Sequence, residues 1–266
     1  SIVEKMNFLG IQKATARELE DVVGLKTGGP LQVRLLDDSA NRIIQFYRSK
    51  GYLDARVKNT GKSIITYKDN NTKAILTYDI YEGPLITVDS VVLYGNTFTK
   101  DFVIFRELEF HKGDVLTPDN LGYSEQRLQR LGIFNTIEIR PLEDDPALGN
   151  RTILVQVTER DPGLFVSGAG MSTELGFTLR GFVGATYRNL FGTGRAISSR
   201  AEISDKTALG FVEGSFNVGY REPFLLGWEN TGRINLNYSR QLLSKYPDSS
   251  GGYIVAVDSS QADFVL

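Results

Sequence analysis

Few residues in this chain have the types and spacing that chemistry requires. There is no cysteine, so a thiolate metal site, a disulfide framework and a cysteine nucleophile are all excluded. The one histidine, His111, could act as a general base. It lies in the loop before Gly113 with no partner nearby in sequence, and a solvated loop histidine accounts for it better. A single histidine also cannot build a multi-histidine metal site. Gly192-Thr193-Gly194 has the look of a phosphate loop but lacks the Lys-Ser/Thr pair and the helix that such a loop feeds, so it reads as a hairpin turn. Asp144-Asp145-Pro146 offers two carboxylates for calcium without EF-hand spacing, and a charged turn between 143 and 150 suits it better. No Gly-x-Ser-x-Gly elbow occurs. No catalytic set, metal site or cofactor site is expected.

What remains is backbone chemistry. An unpaired strand edge can accept an extended peptide through main-chain hydrogen bonds, with little demand on sequence.

The chain has 266 residues and a formal charge of −2, from 30 basic and 32 acidic residues. That balance disfavours a nucleic-acid partner, which selects for basic excess. Residues 1–162 carry 44 charged residues and 12 glycines, whereas 163–266 carry 18 and 15. Two regions built for different surroundings are implied. The expected domains are 1–84, 85–162 and 163–266.

The first region repeats itself. Val3-Glu4-Lys5-Met6-Asn7-Phe8-Leu9-Gly10 matches Val88-Asp89-Ser90-Val91-Val92-Leu93-Tyr94-Gly95 at an offset of 85, which also maps Gly28 onto Gly113 and Leu31 onto Leu116. Glu82-Gly83-Pro84 closes the first copy as Glu159-Arg160-Asp161-Pro162 closes the second. Each copy reads strand, helix, helix, strand, strand. Thr99 is the expected N-cap of a helix running to Glu109. A helix over residues 31–49 ends at Gly51. Ile153, Val155 and Val157 alternate with polar neighbours, as a half-buried strand should. Two helices over one face of a three-stranded sheet make an α+β unit.

From Gly163 the helical period is lost. Six strands are expected, at 163–173, 177–190, 194–205, 208–222, 230–243 and 251–266. Ile234, Leu236 and Tyr238 alternate with Asn235, Asn237 and Ser239, and the other strands show the same alternation. Runs of about ten residues with this dyad pattern suit an outer-membrane barrel, which alone among sheets satisfies its backbone in lipid. Tyr187, Phe191, Phe224 and Trp228 stand at strand ends, where an interfacial girdle would put them. A soluble sandwich shows the same alternation, and pattern alone does not separate the two. No run approaches the ~20 apolar residues of a spanning helix. No signal peptide opens the chain, and it stops within an apolar run, so a piece of a longer protein is expected.

The repeat resembles tandem POTRA domains, through Gly95-Asn96-Thr97 after Val91-Val92-Leu93. The segment after the repeat resembles the barrel start of the BamA/TamA-like outer-membrane assembly family, the bacterial surface antigen family. The matching residues are Tyr187-Arg188-Asn189-Leu190-Phe191-Gly192-Thr193-Gly194-Arg195 and Tyr220-Arg221-Glu222-Pro223-Phe224-Leu225, together with Val157-Thr158-Glu159-Arg160 leading into Gly163. Asn189, Gly192, Gly194 and Pro223 carry the family's turns. The family barrel usually has about sixteen strands, and six cannot close a barrel of ~8 or more. Arg180-Gly181-Phe182 spells the family's late lid-loop motif in the wrong place, so it reads as coincidence.

The resemblance implies a non-enzymatic outer-membrane protein with its POTRA units in the periplasm. Its partners would be unfolded outer-membrane proteins, the lipid bilayer, and accessory lipoproteins or periplasmic chaperones. Client strands would pair with the second strand of each unit. Those edges are residues 55–60, with Ala55, Arg56, Val57 and Lys58, and residues 136–140, with Thr136, Ile137, Glu138, Ile139 and Arg140. Edges merely guarded by charge, as Glu138 and Arg140 would guard the second, are the competing reading. The first barrel strand, with Phe165, Ser167, Ala169 and Met171, would form a separable lateral seam. A secretion transporter of the two-partner type and a soluble periplasmic peptide-binding module are the alternatives.

Overall fold

The computed structural model of the chain describes residues 1–143, 145, 147–173, 177–206, 211–225, 231–246 and 253–265. Asp144, Pro146 and Trp228 fall outside them. The chain divides into two compact units. One comprises residues 1–94, 107–128 and 137–156; the other comprises 95–106, 129–136 and 157–266.

In the first repeat, β1 (Ile2–Leu9) pairs parallel with β4 (Lys73–Tyr81), and β4 pairs antiparallel with both β2 (Arg56–Val57) and β3 (Ile65–Lys68). Helices α1 (Ala16–Val23) and α2 (Leu36–Ser49) complete it. Helix α1 starts where Thr15 and Glu18 cap each other, and it stops at Gly24 in the left-handed conformation. Leu19, Leu36, Ile43, Leu76 and Tyr78 are buried together in its core. A 3-10 turn (Val33–Leu35) precedes α2, so that helix begins five residues later than its apolar periodicity suggests.

The second repeat has β5 (Thr87–Tyr94) parallel to β7 (Asn150–Glu159), with β6 (Phe134–Pro141) on the far side of β7. Its helices are α3 (Asp101–Phe105) and α4 (Pro118–Leu131). Ile153, Val155 and Val157 are buried, as their alternation requires, and so are Ile133 and Phe134 at the corner after Gly132. Helix α3 is short, and its N-cap is Lys100, not Thr99.

The duplication holds down to single hydrogen bonds. Gly28 N–H donates to Val3 O at 2.7 Å, and Gly113 N–H donates to Val88 O at 2.7 Å. Bridges Ile2–Pro30 and Thr87–Val115 also lie 85 residues apart. Between the repeats, Ile86 N–H donates to Gly51 O at 2.9 Å. Arg151, only 5% exposed, pairs with Asp54 of the first repeat.

Six further strands pair in sequence order as one antiparallel sheet: β8 (Gly163–Ser172), β9 (Thr178–Leu190), β10 (Arg195–Lys206), β11 (Phe211–Glu222), β12 (Gly232–Tyr246) and β13 (Tyr253–Val265). The sheet is open, with β8 and β13 at its ends. The register sorts its side chains cleanly. Tyr187, Ile197, Tyr220 and Ile234 form one row, and Phe216 lies beside Tyr238. Thr186, Ser198, Gly219 and Asn235 share the opposite face. The apolar face is half-exposed along its length, at Leu179, Val183, Ile203 and Leu236 among others. A soluble sandwich would cover that face with a second sheet. None of the described helices is long and apolar enough to cross a membrane.

Candidate functional site

The candidate site consists of strand edges, together with a turn that packs against residues 98–106. In the first repeat the edge is short. Only Arg56 and Val57 pair with β4, while Ala55 is 1% exposed and belongs to the core. Lys58 N–H donates to Asp79 O at 2.7 Å, and then the strand stops. The Asn59 side chain takes over, donating to Thr77 O at 2.7 Å and accepting Asp79 N–H at 2.9 Å. A 3-10 turn (Gly61–Ile64) comes next, before β3 resumes against β4. The expected edge over 55–60 is therefore a two-residue strand plus a side-chain mimic of one. Asn59 competes with the backbone for the same partners.

The second repeat differs. Strand β6 runs uninterrupted over eight residues at the end of its sheet. Ile137 and Ile139 are half-buried, while Thr136, Glu138 and Arg140 face solvent. Glu138 and Arg140 pair with each other at 3.0 Å, so their charges are spent locally.

Strand β8 is the third edge; among the described residues it pairs with β9. Phe165, Ser167, Ala169 and Met171 alternate onto the apolar face, with Phe165 70% and Met171 73% exposed. On the other face a Cβ at Gly168 would lie 2.6 Å from the Phe182 ring, so that ring covers the glycine. Arg200 in turn stacks on Phe182 at 4.1 Å. An aromatic over a glycine stiffens a strand that has little else to pack.

The turn after β9 is built from left-handed residues: Asn189, Phe191, Gly192 and Gly194 all have φ between 57° and 79°. The Asn189 side chain closes it by accepting Gly194 N–H at 2.8 Å, and it donates to Thr99 Oγ1 at 2.8 Å. Gly192 O accepts Lys100 N–H at 2.9 Å, and a Cβ on Gly192 would lie 2.2 Å from Phe98 O. Only glycine permits that approach. The Arg106 guanidinium lies over the Phe224 ring at 4.0 Å, and Pro223 flanks Gly194. The four turn residues named from the sequence are thus brought together against residues 98–106.

Glu159 organises that loop. Its carboxylate accepts the N–H groups of Thr99 at 2.6 Å and Phe98 at 3.0 Å, and the Thr97 hydroxyl at 2.7 Å. Partial burial works against its charge, but these donors outweigh it and hold the carboxyl below its ordinary pKa. Sequence reasoning missed Glu159, Thr99 and Arg106 as bracing residues. The matched ends of the two repeats were the one available signal.

Comparison with known proteins fits this geometry. The family model for POTRA, described as surface antigen variable number repeat, matches residues 1–83 and 86–160. The chain belongs to the POTRA family. Among curated proteins, a stretch of 177 residues is 27% identical to outer membrane protein assembly factor BamA of Neorickettsia risticii, covering 66% of this chain and 23% of that protein. BamA of Neisseria meningitidis is 26% identical over 210 residues, covering 78% of this chain and 24% of that one. The chain spans about a quarter of the length of these relatives. The crystal structure of BamA from Haemophilus ducreyi lacking POTRA domains 1–3 superposes with a TM-score of 0.62 at 17% identity, covering 99% of this chain and 58% of that one. CdiB from Acinetobacter baumannii gives 0.56 at 16%, covering 99% and 49%. The fold is accordingly two POTRA units followed by the opening strands of a barrel, held as an open sheet. Both of these curated relatives are named as outer membrane protein assembly factors.

Proposed function

We propose that this chain is part of an outer-membrane protein assembly factor. It resides in the bacterial outer membrane with its POTRA units in the periplasm. Unfolded barrel proteins dock as added strands along β6, and β8 templates their insertion at the seam. The observation that carries this reading is the joining of a POTRA repeat with an uninterrupted eight-residue edge strand, β6, to a sheet with one apolar and one polar face. Main-chain pairing gives affinity without a fixed client sequence, which suits a factor serving many clients. Burial of apolar surface and completed hydrogen bonding in lipid supply the driving force, so no nucleotide is required. Accessory lipoproteins or periplasmic chaperones would assist delivery.

Depleting the full-length protein and quantifying other outer-membrane proteins tests the proposal. Their general loss is expected, and unchanged levels would sink it. The fold shared with CdiB favours a second reading, a transporter dedicated to one secreted partner. In that case a single exported protein disappears while the outer-membrane proteome stays constant.

A further inference from the structure

The polar face of the six-stranded sheet carries a row of arginines that, among the described residues, no ion pair relieves. Register places Arg188 of β9, Ala196 of β10, Arg221 of β11 and Arg233 of β12 side by side. Strand alternation puts all four on one face. The small Ala196 leaves room between Arg188 and Arg221. The next row is Thr186, Ser198, Gly219 and Asn235, neutral as far as β12, and it ends at Asp263 of β13. A Cβ on Gly219 would lie 2.8 Å from Ser198 Oγ and 3.0 Å from Asn235 Oδ1, so both polar groups lean over the glycine. Together these residues line a hollow of about 250 Å³.

The nearby carboxylates are otherwise engaged. Glu222 lies on the other face and accepts from Arg195 at 2.6 Å and from Tyr220 at 3.0 Å. Glu202 pairs with Arg200, and Asp263 accepts from Gln261 at 2.9 Å. Among the described residues no carboxylate forms an ion pair with Arg188, Arg221 or Arg233. Arg221 donates through Nη2 to Leu131 O at 3.4 Å, while its Nε is buried without a partner. One arginine is thus anchored and two flank it; three guanidinium groups stand over hydroxyl and amide donors, with the Asp263 carboxylate at the β13 end of the adjoining row.

We propose that this row is a binding site for a phosphate group. Guanidinium forks match phosphate oxygens bidentately. A dianion neutralises more of the row than a single carboxylate does, and Thr186, Ser198 and Asn235 add neutral donors on the adjoining row. The phosphate comes either from free inorganic phosphate or from a phosphorylated lipid headgroup; the chemistry of the seat is the same.

The test uses the full-length protein purified in detergent and phosphate-free buffer, with inorganic phosphate titrated at constant ionic strength and followed by calorimetry and by ³¹P line broadening. Saturable binding is expected. In the Arg188→Gln/Arg233→Gln double variant, which keeps the Arg221 contact to Leu131, affinity should fall about tenfold or more. Arg200→Gln, on the same face but paired with Glu202, should leave binding unchanged. Vesicles containing phosphatidic acid, whose headgroup is a phosphate monoester, form a second arm: displacement of bound phosphate by them identifies a lipid headgroup as the source, and its absence identifies free phosphate. No saturable phosphate response, an equal response in the double variant, or acetate competing as well as phosphate would each overturn the proposal. The last outcome would assign the row to a peptide carboxylate.

Discussion

Glu159 stands in the second repeat where Glu82 stands in the first. Each carboxylate closes its repeat's last strand and accepts N–H groups from the loop after the first strand. Glu82 takes Gln12 at 2.9 Å and Lys13 at 3.0 Å, whereas Glu159 takes Phe98 and Thr99. The first repeat adds the Tyr47 hydroxyl at 2.8 Å, and the second adds the Thr97 hydroxyl. A loop with neither helix nor ladder to satisfy its donors needs such an acceptor. In the second repeat the same loop also holds Asn189, so Glu159 acts on the β9–β10 turn through Thr99.

Glu159→Ala should therefore cost about 2–3 kcal/mol, as charged hydrogen bonds to backbone donors are lost together. Hydrogen exchange at Phe98 and Thr99 should accelerate, and protection of the 189–194 turn should fall with it. The pH dependence has a definite sign. The folded carboxyl titrates below its unfolded value of about 4.3, so its stabilisation is complete above that pH. It is lost as pH falls through the lower folded value. Glu159→Gln should flatten the acid limb of the stability curve; an unchanged acid limb would rule out this carboxylate as its source.

Glycines at positive φ separate strain from collision. Gly95 and Gly113 have nearly the same φ, 92° and 93°. A Cβ on Gly95 would lie 1.9 Å from Val157 O, but one on Gly113 meets nothing within 4 Å. Gly113→Ala should cost about 1–2 kcal/mol, the left-handed penalty alone. Gly95→Ala must also push β7 from β5, and should leave the second repeat unfolded in pulse proteolysis. Equal effects from the two would refute the contact argument. Gly10, whose Cβ would lie 2.2 Å from Ile80 O, should behave like Gly95.

The two faces of the six-stranded sheet make opposite demands. Leu236 is 54% exposed on the apolar face, and its neighbour Asn237 lies on the polar one. Leu236→Lys should cost about 2–4 kcal/mol if the residue lies near the bilayer midplane, and less toward either interface. Asn237→Lys should cost under about 1 kcal/mol. Urea unfolding in lipid vesicles measures both. A cheap lysine at 236 combined with a costly one at 237 would invert the assignment of faces.

The repeat was legible in the sequence because its fixed points are glycines with obligatory φ, which a sequence shows directly. The six strands were legible because one face is apolar and the other polar, so alternation marked them to within a few residues. What failed was local reasoning where a distant group intervenes. Thr99 satisfies every local preference for an N-cap, yet Glu159 claims its N–H and Asn189 claims its hydroxyl, and the helix begins one residue later. Residues 55–60 look like a strand until Asn59 turns its side chain onto β4. The row Arg188, Arg221 and Arg233 could not be read at all without register, since 33 and 12 residues separate its members.

If the chain works as proposed, register and edge continuity set where clients dock. The β2 edge offers two paired residues before Asn59 and the 3-10 turn end it, so an added strand gains few main-chain bonds there. The β6 edge runs from Phe134 to Pro141 without a break, long enough for a typical strand of 5–6 residues. Its guarding charges, Glu138 and Arg140, already pair with each other and present little net field to an incoming chain. Photo-crosslinkers placed at Thr136 and Glu138 should therefore capture nascent outer-membrane proteins several-fold more efficiently than those at Arg56 and Lys58. Reversing Arg140 to Glu should reduce that capture by setting two like charges on one edge, where edge charges discourage added strands. Equal capture at both edges would show that length of open backbone does not govern docking, and capture confined to Arg56 would move the receiving edge to the first repeat.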